Sequence, residues 1–415
     1  MSPLAGYKRL FRLTGPLYVV VGFLARLPLA MSQLGVLLLV AGMTDSYGAG
    51  GACAGALAIA NAVGAPFWGN LADRIGQRPV VLVQSLAGAA ALAVLLVTTH
   101  AGVPWAWSAV ASAAAGLLMP QVGPMARVRW RPITSRSENQ TRLVDIAFSY
   151  EGAADEASFV LGPALIGLGV SLASPTFALS SAAVVLAVFG AWFALHPTAT
   201  HAHASRETGD HSGIRLLTPA LVLLCTSQLV IGTVFGSVQT GTSVLATDVG
   251  QPGLTGYFHA LLGVGSVIAG LCITMLPESF ALPARLRWFA VTLLVLATPL
   301  LVVDSLAVLA PVLLVLGISI APYMITTFTL GERITHRSRT SAAMTLLAAA
   351  TGLGYAIGAG IAGQLADWGG QTPAFAVTVG AGVVAILVSW GGSSVVTRSE
   401  EAAASRSQPS PVDSA

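Results

Sequence analysis

Charge is what this sequence has least of. Only 9% of its 415 residues are charged, whereas an ordinary soluble domain carries about 25%. Hydrophobic residues make up 55% of the chain and the mean hydropathy is +0.79, which excludes a soluble globular protein. The net charge of +3 is too small to indicate a nucleic-acid-binding surface.

Cysteine and recognisable catalytic groups are scarce as well. The three cysteines all lie in apolar stretches, where a lone thiol usually serves packing, so we expect no disulfide. The sequence has no phosphate-binding loop, no metal-ligand cluster and no nucleophile with a neighbouring base. It therefore predicts no enzyme, no metal site and no cofactor.

The apolar residues fall into runs long enough to cross a membrane, for which a helix needs about 20 residues. There are twelve such runs: 15–42, 52–68, 80–99, 105–125, 143–170, 176–195, 216–245, 255–276, 288–303, 306–330, 342–365 and 374–390. The sequence thus predicts an all-α membrane protein with twelve transmembrane helices.

Basic residues give the predicted orientation. They occur before the first span, after every second span and in the tail, whereas the opposite connections contain neither Lys nor Arg. Because basic loops stay in the cytoplasm, both termini are predicted to be cytoplasmic. Arginine outnumbers lysine nineteen to one, and we expect a bacterial-type inner membrane as the location.

Four regions follow from the distribution of polar residues. The sequence predicts a six-helix half at 1–195, a polar cytoplasmic linker at 196–214, a second six-helix half at 215–392 and a disordered cytoplasmic tail at 393–415.

The two predicted halves share a glycine pattern. Gly55 and Gly64 in the second span recur 201 positions later as Gly256 and Gly265 in the eighth. Duplicated units of this kind are typical of transporters, whose substrate site lies between the two repeats. The pattern indicates two pseudo-symmetric halves.

The turn after the second span reads GNLADRIGQR. With Gly69, Asp73, Arg74, Gly76 and Arg78 in place, it resembles the signature of the major facilitator superfamily, although the residue before Arg78 departs from the pattern. The resemblance implies the twelve-helix facilitator fold and a cytoplasmic gate motif that latches the halves when the cavity faces outward. The alternative is an ordinary charged turn.

Three carboxylates interrupt the fifth span in the stretch FSYEGAADEASFVLGP. Glu151 and Asp155 are one helical turn apart on the same face, whereas Glu156 points about 100° away. Arg26, in the first span, is the basic residue expected deep in the membrane, and in the facilitator fold the first and fifth helices are neighbours. We expect Arg26 to pair with Asp155 or Glu151.

This charge count leads to a proton-coupling hypothesis. Three carboxylates against one guanidinium leave two negative charges uncompensated, so at least one carboxyl is predicted to be protonated near neutral pH. We assign proton coupling to Asp155, Glu151, Glu156 and Arg26. The alternative for Glu151 is a position at the cytoplasmic interface, solvated and without a role in coupling.

Small residues continue along the same face of the fifth span as Ser158 and Gly162, and the small-residue stripe extends through Pro163 to Gly167. This stripe resembles in part a facilitator pattern common in antiporters, and the resemblance implies exchange of a solute against protons. The alternative is a packing seam against a neighbouring helix.

The resemblance also implies that the first, fourth, seventh and tenth helices line the transport path. Their neutral polar and aromatic residues are the predicted substrate cavity: Gln33, Gln121, Gln228, Phe235, Gln239, Thr242, Tyr323 and Thr326. Such a lining suits an amphipathic, weakly polar solute of middle size. For each residue alone, the alternative is hydrogen bonding between helices.

The sequence therefore predicts a monomeric membrane transporter that exports a small molecule by alternating access and proton antiport. Its partners are the solute, protons and the lipid bilayer. Uptake of a small nutrient is the second hypothesis, and a membrane sensor or enzyme that moves no solute is the third.

Overall fold

The computed structural model describes residues 3–137, 139–201, 217–273, 276–277, 279–336 and 339–407. Within these ranges the chain is helical apart from short connections and contains no strand. The α-helices are α1 Pro3–Thr14, α2 Pro16–Leu24, α3 Leu27–Thr44, α4 Tyr47–Ile75, α5 Gln77–His100, α6 Trp105–Leu117, α7 Val122–Thr134, α8 Gln140–Leu172, α9 Pro175–Val185, α10 Ala191–Leu195, α11 Pro219–Asp248, α12 Leu254–Cys272, α13 Leu282–Ala297, α14 Leu306–Ile334, α15 Thr340–Gly369, α16 Gln371–Gly391 and α17 Ser393–Ser407.

Twelve helical segments of the described residues are long and apolar enough to cross a membrane, which confirms the predicted count and the all-α class. Most correspond to one helix each. The first span, Pro16–Thr44, combines α2 and α3, and the fourth, Trp105–Thr134, combines α6 and α7. The fourth span is thus longer than the predicted run 105–125.

Contacts between residues divide the chain into two compact units. One contains the described residues up to 201 together with Thr242–Ala260, and the other contains 217–241 and the described residues from 261 onward. The predicted halves 1–195 and 215–392 stay a prediction. Of the predicted linker, residues 202–214 lie outside the described part of the chain.

Proline breaks the first span. Pro28 lies in the first turn of α3, and because proline has no backbone N–H it cannot continue the hydrogen bonding of α2. The chain turns at Ala25 and Arg26 before α3 begins. The break leaves Arg26 next to α8, against which α3 packs.

Residues 393–407 of the predicted disordered tail form α17 in the structure. Val396 is 3% exposed, and Arg333 of α14 donates to Glu400 at 3.4 Å. The Ser- and Glu-rich composition indicated disorder, but a valine pair at 395–396 gives the helix an apolar side to bury. Residues 408–415 lie outside the described part of the chain.

In the second unit, α11 and α15 approach closely at small residues. A Cβ atom on Gly232 would collide with the backbone of Thr351, and one on Gly354 would collide with Leu229 O. Such contacts drive helix association in lipid, where burial of apolar area contributes little.

We expect Gly354→Ala to destabilise the protein by about 1–3 kcal/mol, because the new methyl group overpacks the crossing. The matched control is Gly360→Ala on the same helix, where a Cβ atom has open space within 4 Å. That substitution should be neutral or stabilising by up to about 1 kcal/mol, because alanine favours a helix over glycine. Thermal unfolding in detergent measures both, and equal effects would contradict the proposed crossing.

Candidate functional site

A cluster of four charged side chains lies within the first unit. Arg26 bonds to three groups: its Nη2 donates to Glu151 Oε2, its Nε donates to Asp155 Oδ1 at 2.9 Å, and its Nη1 donates to Gly22 O at 2.8 Å. The side chain is 4% exposed and that of Glu151 is 1% exposed. The structure therefore brings together the residues that the sequence predicted to pair.

The neighbouring helix α7 completes the cluster. Arg127 Nη2 donates to Asp155 Oδ2 at 2.6 Å, and Trp130 Nε1 donates to Glu151 Oε1 at 2.5 Å. A Cβ atom on Gly123 would lie 2.5 Å from Asp155 Oδ1, so glycine is needed for the carboxylate to approach α7. One face of α7 thus meets both acids.

Sequence reasoning missed Arg127. The predicted fourth span ends at residue 125, which places Arg127 in a basic connection, whereas the fourth span of the structure continues to Thr134. The missed signal is spacing: Gly123, Arg127 and Trp130 recur at four and three residues, which places them on one helical face.

Arg127 changes the charge count behind the protonation hypothesis from three carboxylates against one guanidinium to three against two, and Glu156 lies outside the cluster. Arg26 and Arg127 carry two positive charges against the two negative charges of Glu151 and Asp155. Glu151 is also buried rather than solvated at an interface. The four side chains are neutral as a group when both acids are ionised.

The cluster divides into an inner and an outer part. Arg26 and Glu151 are almost wholly buried, whereas the side chains of Asp155 and Arg127 are 27% and 32% exposed. A cavity of about 120 Å³ adjoins Asp155 and Arg26. Its other lining side chains are Leu29, Ala30, Pro120, Gln121, Val122, Pro124, Ser158 and Phe159, with the Gly123 backbone.

Glu156 lies apart from this arrangement. It is exposed and does not line the cavity, as expected from its different helical face. Its assignment to proton coupling stays a prediction.

The small-residue stripe of α8 serves close helix contacts. A Cβ atom on Gly162 would lie 2.6 Å from Ala30 Cβ, and one on Gly167 would collide with Gly253 O. Ser158 Oγ donates to Asp155 O at 2.7 Å and lines the cavity. These contacts match the packing alternative, while an antiporter role for the stripe stays a prediction.

The turn after α4 has the geometry that its glycine requires. Gly76 has φ +94°, a conformation that other residues rarely adopt. Asp73, Arg74 and Arg78 are exposed, and a Cβ atom on Gly69 would meet nothing within 4 Å. The gating role of this turn stays a prediction.

The departure from the signature, Gln77, has a structural reason. Gln77 is buried, and its Oε1 accepts from Arg129 Nε at 2.9 Å. Arg129 Nη1 also donates to Phe193 O at 3.0 Å and Thr198 Oγ1 at 3.1 Å, so neutral oxygens solvate this buried guanidinium. Burial and the nearby Arg129 charge lower the pKa of His196, just beyond the sixth span.

In the first unit, the predicted cavity residues have mixed surroundings. Gln33 and Gln121 are half-buried, and Gln121 Nε2 donates to Asn61 Oδ1 at 2.9 Å while lining the cavity. Thr242 is buried, and its hydroxyl has no hydrogen-bond partner among the described residues.

In the second unit, most predicted cavity residues bond to other helices. Gln228 Oε1 accepts from Thr351 Oγ1 at 3.1 Å, and Gln239 Oε1 accepts from the Tyr355 hydroxyl. Three others complete the set: the Tyr323 hydroxyl lies 3.2 Å from Ser389 Oγ, Thr326 Oγ1 donates to Pro322 O at 2.7 Å, and Phe235 is half-buried. The substrate role of all these residues stays a prediction.

Comparison with known proteins agrees with this architecture. Residues 18–340 match the model of the Major Facilitator Superfamily. This chain belongs to that family, so it is an integral multi-pass membrane protein and a membrane transporter. No curated protein matches the chain.

Solved structures share the fold at low sequence identity. The nucleoside transporter NupG has a TM-score of 0.67 and 14% identity, over 92% of this chain and 98% of that one. A bacterial homologue of the iron transporter ferroportin has a TM-score of 0.67 and 16% identity, over 93% and 99%. The human organic anion transporter MFSD10 has a TM-score of 0.55 and 18% identity, over 91% and 99%. At these identities the likeness shows the fold alone.

We expect Glu151→Gln to destabilise the protein by about 3–5 kcal/mol, because it leaves the buried Arg26 guanidinium without its innermost counter-charge. The matched control is Glu400→Gln, which removes an ion pair whose arginine side chain is 60% exposed. That change should cost about 0–1 kcal/mol. Thermal unfolding in detergent compares them, and a small effect of Glu151→Gln would contradict a stabilising role for the inner pair.

Proposed function

We propose that this chain couples the movement of a small solute to protons, and that Asp155 is the carboxyl that binds the proton. One observation carries the proposal: Asp155 is shared by a buried and a half-exposed arginine and lies beside a cavity. A membrane-embedded ionisable group of this kind is expensive and commonly belongs to an ion pathway.

Arg127 makes the proton affinity of Asp155 depend on conformation. While both guanidiniums hold its oxygens, the carboxylate is stabilised in its ionised form. Withdrawal of the half-exposed Arg127 removes one of these charges and opens Oδ2 to a proton. Because Arg127 lies on α7 and Asp155 on α8, a relative movement of the two helices changes this contact and couples protonation to alternating access.

The distribution of basic residues supports the orientation that we propose. Lys8, Arg9 and Arg12 precede the first span, and the remaining basic loops follow every second span. We propose that both termini lie in the cytoplasm of a bacterial-type cell and that the protein resides in the inner membrane. The turn after α4 then faces the cytoplasm, where it is our candidate for a gate.

Two directions of transport fit such a coupling site. Export by proton antiport is supported by the partial antiporter stripe on α8, from Ser158 to Gly167. The close contacts that Gly162 and Gly167 make in the structure explain the same residues by helix packing.

Uptake is the second candidate, and Arg127 favours it. A protonated Asp155 leaves a guanidinium without its counter-charge, which repels a cationic solute and attracts an anionic one. A solute that binds together with the proton travels with it, and an inwardly directed proton gradient then drives uptake.

Accumulation in a pump-deficient bacterial host tests both candidates. Cells that express the chain receive a panel of lipophilic dyes, antibiotics and small organic acids, with and without an uncoupler. Export lowers and uptake raises the accumulation of a transported compound. We expect the uncoupler to abolish the effect, and transport that persists without a proton gradient would exclude proton coupling.

The same assay separates Asp155 from its neighbour. We expect Asp155→Asn to abolish proton-driven accumulation or expulsion, because the amide binds no proton at this position, while Glu156→Gln retains it at equal protein level. Loss of transport in Glu156→Gln with full activity in Asp155→Asn would show that Glu156, and not Asp155, binds the proton, which would contradict our proposal.

A further inference from the structure

The arginines of the charged cluster have guanidinium donors available to a further negative group. Arg127 uses one guanidinium nitrogen for Asp155 Oδ2 in the described structure, and its side chain is 32% exposed. Arg26 presents its Nε to Asp155 Oδ1 at the edge of the cavity. Asp155 therefore places its carboxylate between two guanidiniums, and the carboxylate of a bound solute would be favoured at the same position.

Protonation of Asp155 changes the charge of this position by one unit. The two arginines then face Glu151 alone, so the cluster carries a net charge of +1. Glu151 already holds Arg26 and Trp130, each of which donates to one of its two oxygens. A single external negative charge restores neutrality, whereas a dianion such as a phosphate ester would overcompensate.

The cavity indicates what else the ligand contains. Its volume of about 120 Å³ matches about four water molecules at ~30 Å³ each, which is room for a small polar head and part of a body. Leu29, Val122 and Phe159 offer apolar contact, while Gln121 and Ser158 offer hydrogen bonds. This mixture suits an amphipathic acid better than a sugar.

We propose that the transported solute is an amphipathic monocarboxylate, and that its carboxylate replaces that of Asp155 at Arg127 and Arg26 after a proton has bound to Asp155 Oδ2. The inference rests on the proposed coupling role of Asp155. One proton and one monoanion enter together, so the loaded cluster has the same net charge as the empty one. Solute and proton move in the same direction, which selects uptake over export.

Other titratable groups near Asp155 do not supply this proton. On α8 itself these are Glu151, whose oxygens are engaged, Glu156, which lies outside the cavity lining, and Tyr150, whose hydroxyl donates to Val19 O at 3.4 Å. From the elements packed against α8, the charged groups facing Asp155 are Arg26 and Arg127, which stay charged.

Binding to the purified full-length protein in detergent tests the inference. The probes are phenylacetate, octanoate and further short monocarboxylates, each beside its neutral amide, with phenethylamine as the cationic counterpart. A ligand that binds the folded state raises the unfolding temperature. We expect at least one acid to do so, its amide to do so at least tenfold more weakly, and the amine to have no effect.

The pH dependence is the sharper readout. Because each anion binds with one proton, its affinity should fall about tenfold per unit rise in pH wherever Asp155 of the free protein is ionised. Addition of the acid to protein in weak buffer should consume about one proton per site. Asp155→Asn should bind the acid with no such dependence, since its amide is neutral throughout.

Arg127→Gln should weaken binding of the acid at least tenfold, whereas Arg131→Gln, an exposed position on the same helix, should leave it unchanged. Equal binding of acid and amide, tighter binding at higher pH, or no stabilisation by any of the acids would overturn the inference. Proton-driven transport of a neutral or cationic solute that is lost in Asp155→Asn would leave the proposed coupling intact while overturning the substrate class.

Discussion

The buried guanidinium of Arg26 has to be neutralised and hydrogen-bonded, and several features of the first unit serve this requirement. A charge at the centre of a membrane span costs at least ~2.5 kcal/mol and needs partners. Glu151, Asp155 and Gly22 O bind its nitrogens. The break at Pro28 places the side chain beside α8, and Gly123 leaves room for α7 to approach the acids.

The second unit handles its buried polar groups differently. Its fully buried polar side chains in the described residues are neutral and include Gln228, Gln239 and Ser237. They pair with hydroxyl groups on other helices, as in the bond from Tyr355 to Gln239. Such bonds hold helices together in lipid without a charge that responds to pH. The two units thus share a helical plan but differ in chemistry, and the ionisable cluster of α3, α7 and α8 belongs to the first.

The residues of the site that could be predicted from the sequence are charged residues that are rare in apolar runs and that recur at helical spacing. An arginine in an apolar run and acids four residues apart in another run are conspicuous, and the facilitator resemblance makes the two helices neighbours. Arg127 escaped prediction because arginine-rich segments usually mark loops, and hydropathy cannot tell a loop from a buried helical end. The helix at 393–407 escaped because composition underrates two adjacent valines that find an apolar surface.

The two ion pairs of the cluster are suited to different tasks. A buried pair is weak evidence of stabilisation, because desolvation offsets much of the Coulomb attraction, yet breaking it is costly. Arg26 and Glu151, at 4% and 1% exposure, are therefore difficult to separate and form the fixed part of the cluster. Asp155 and Arg127, at 27% and 32% exposure, are less deeply buried, which lowers the cost of parting them. A coupling site needs both properties. The fixed pair keeps the electrostatic potential at the site constant, and the pair that can separate lets a proton or a solute bind in place of one partner. The four side chains of the cluster differ enough in burial to provide both a fixed pair and a separable pair within the first unit.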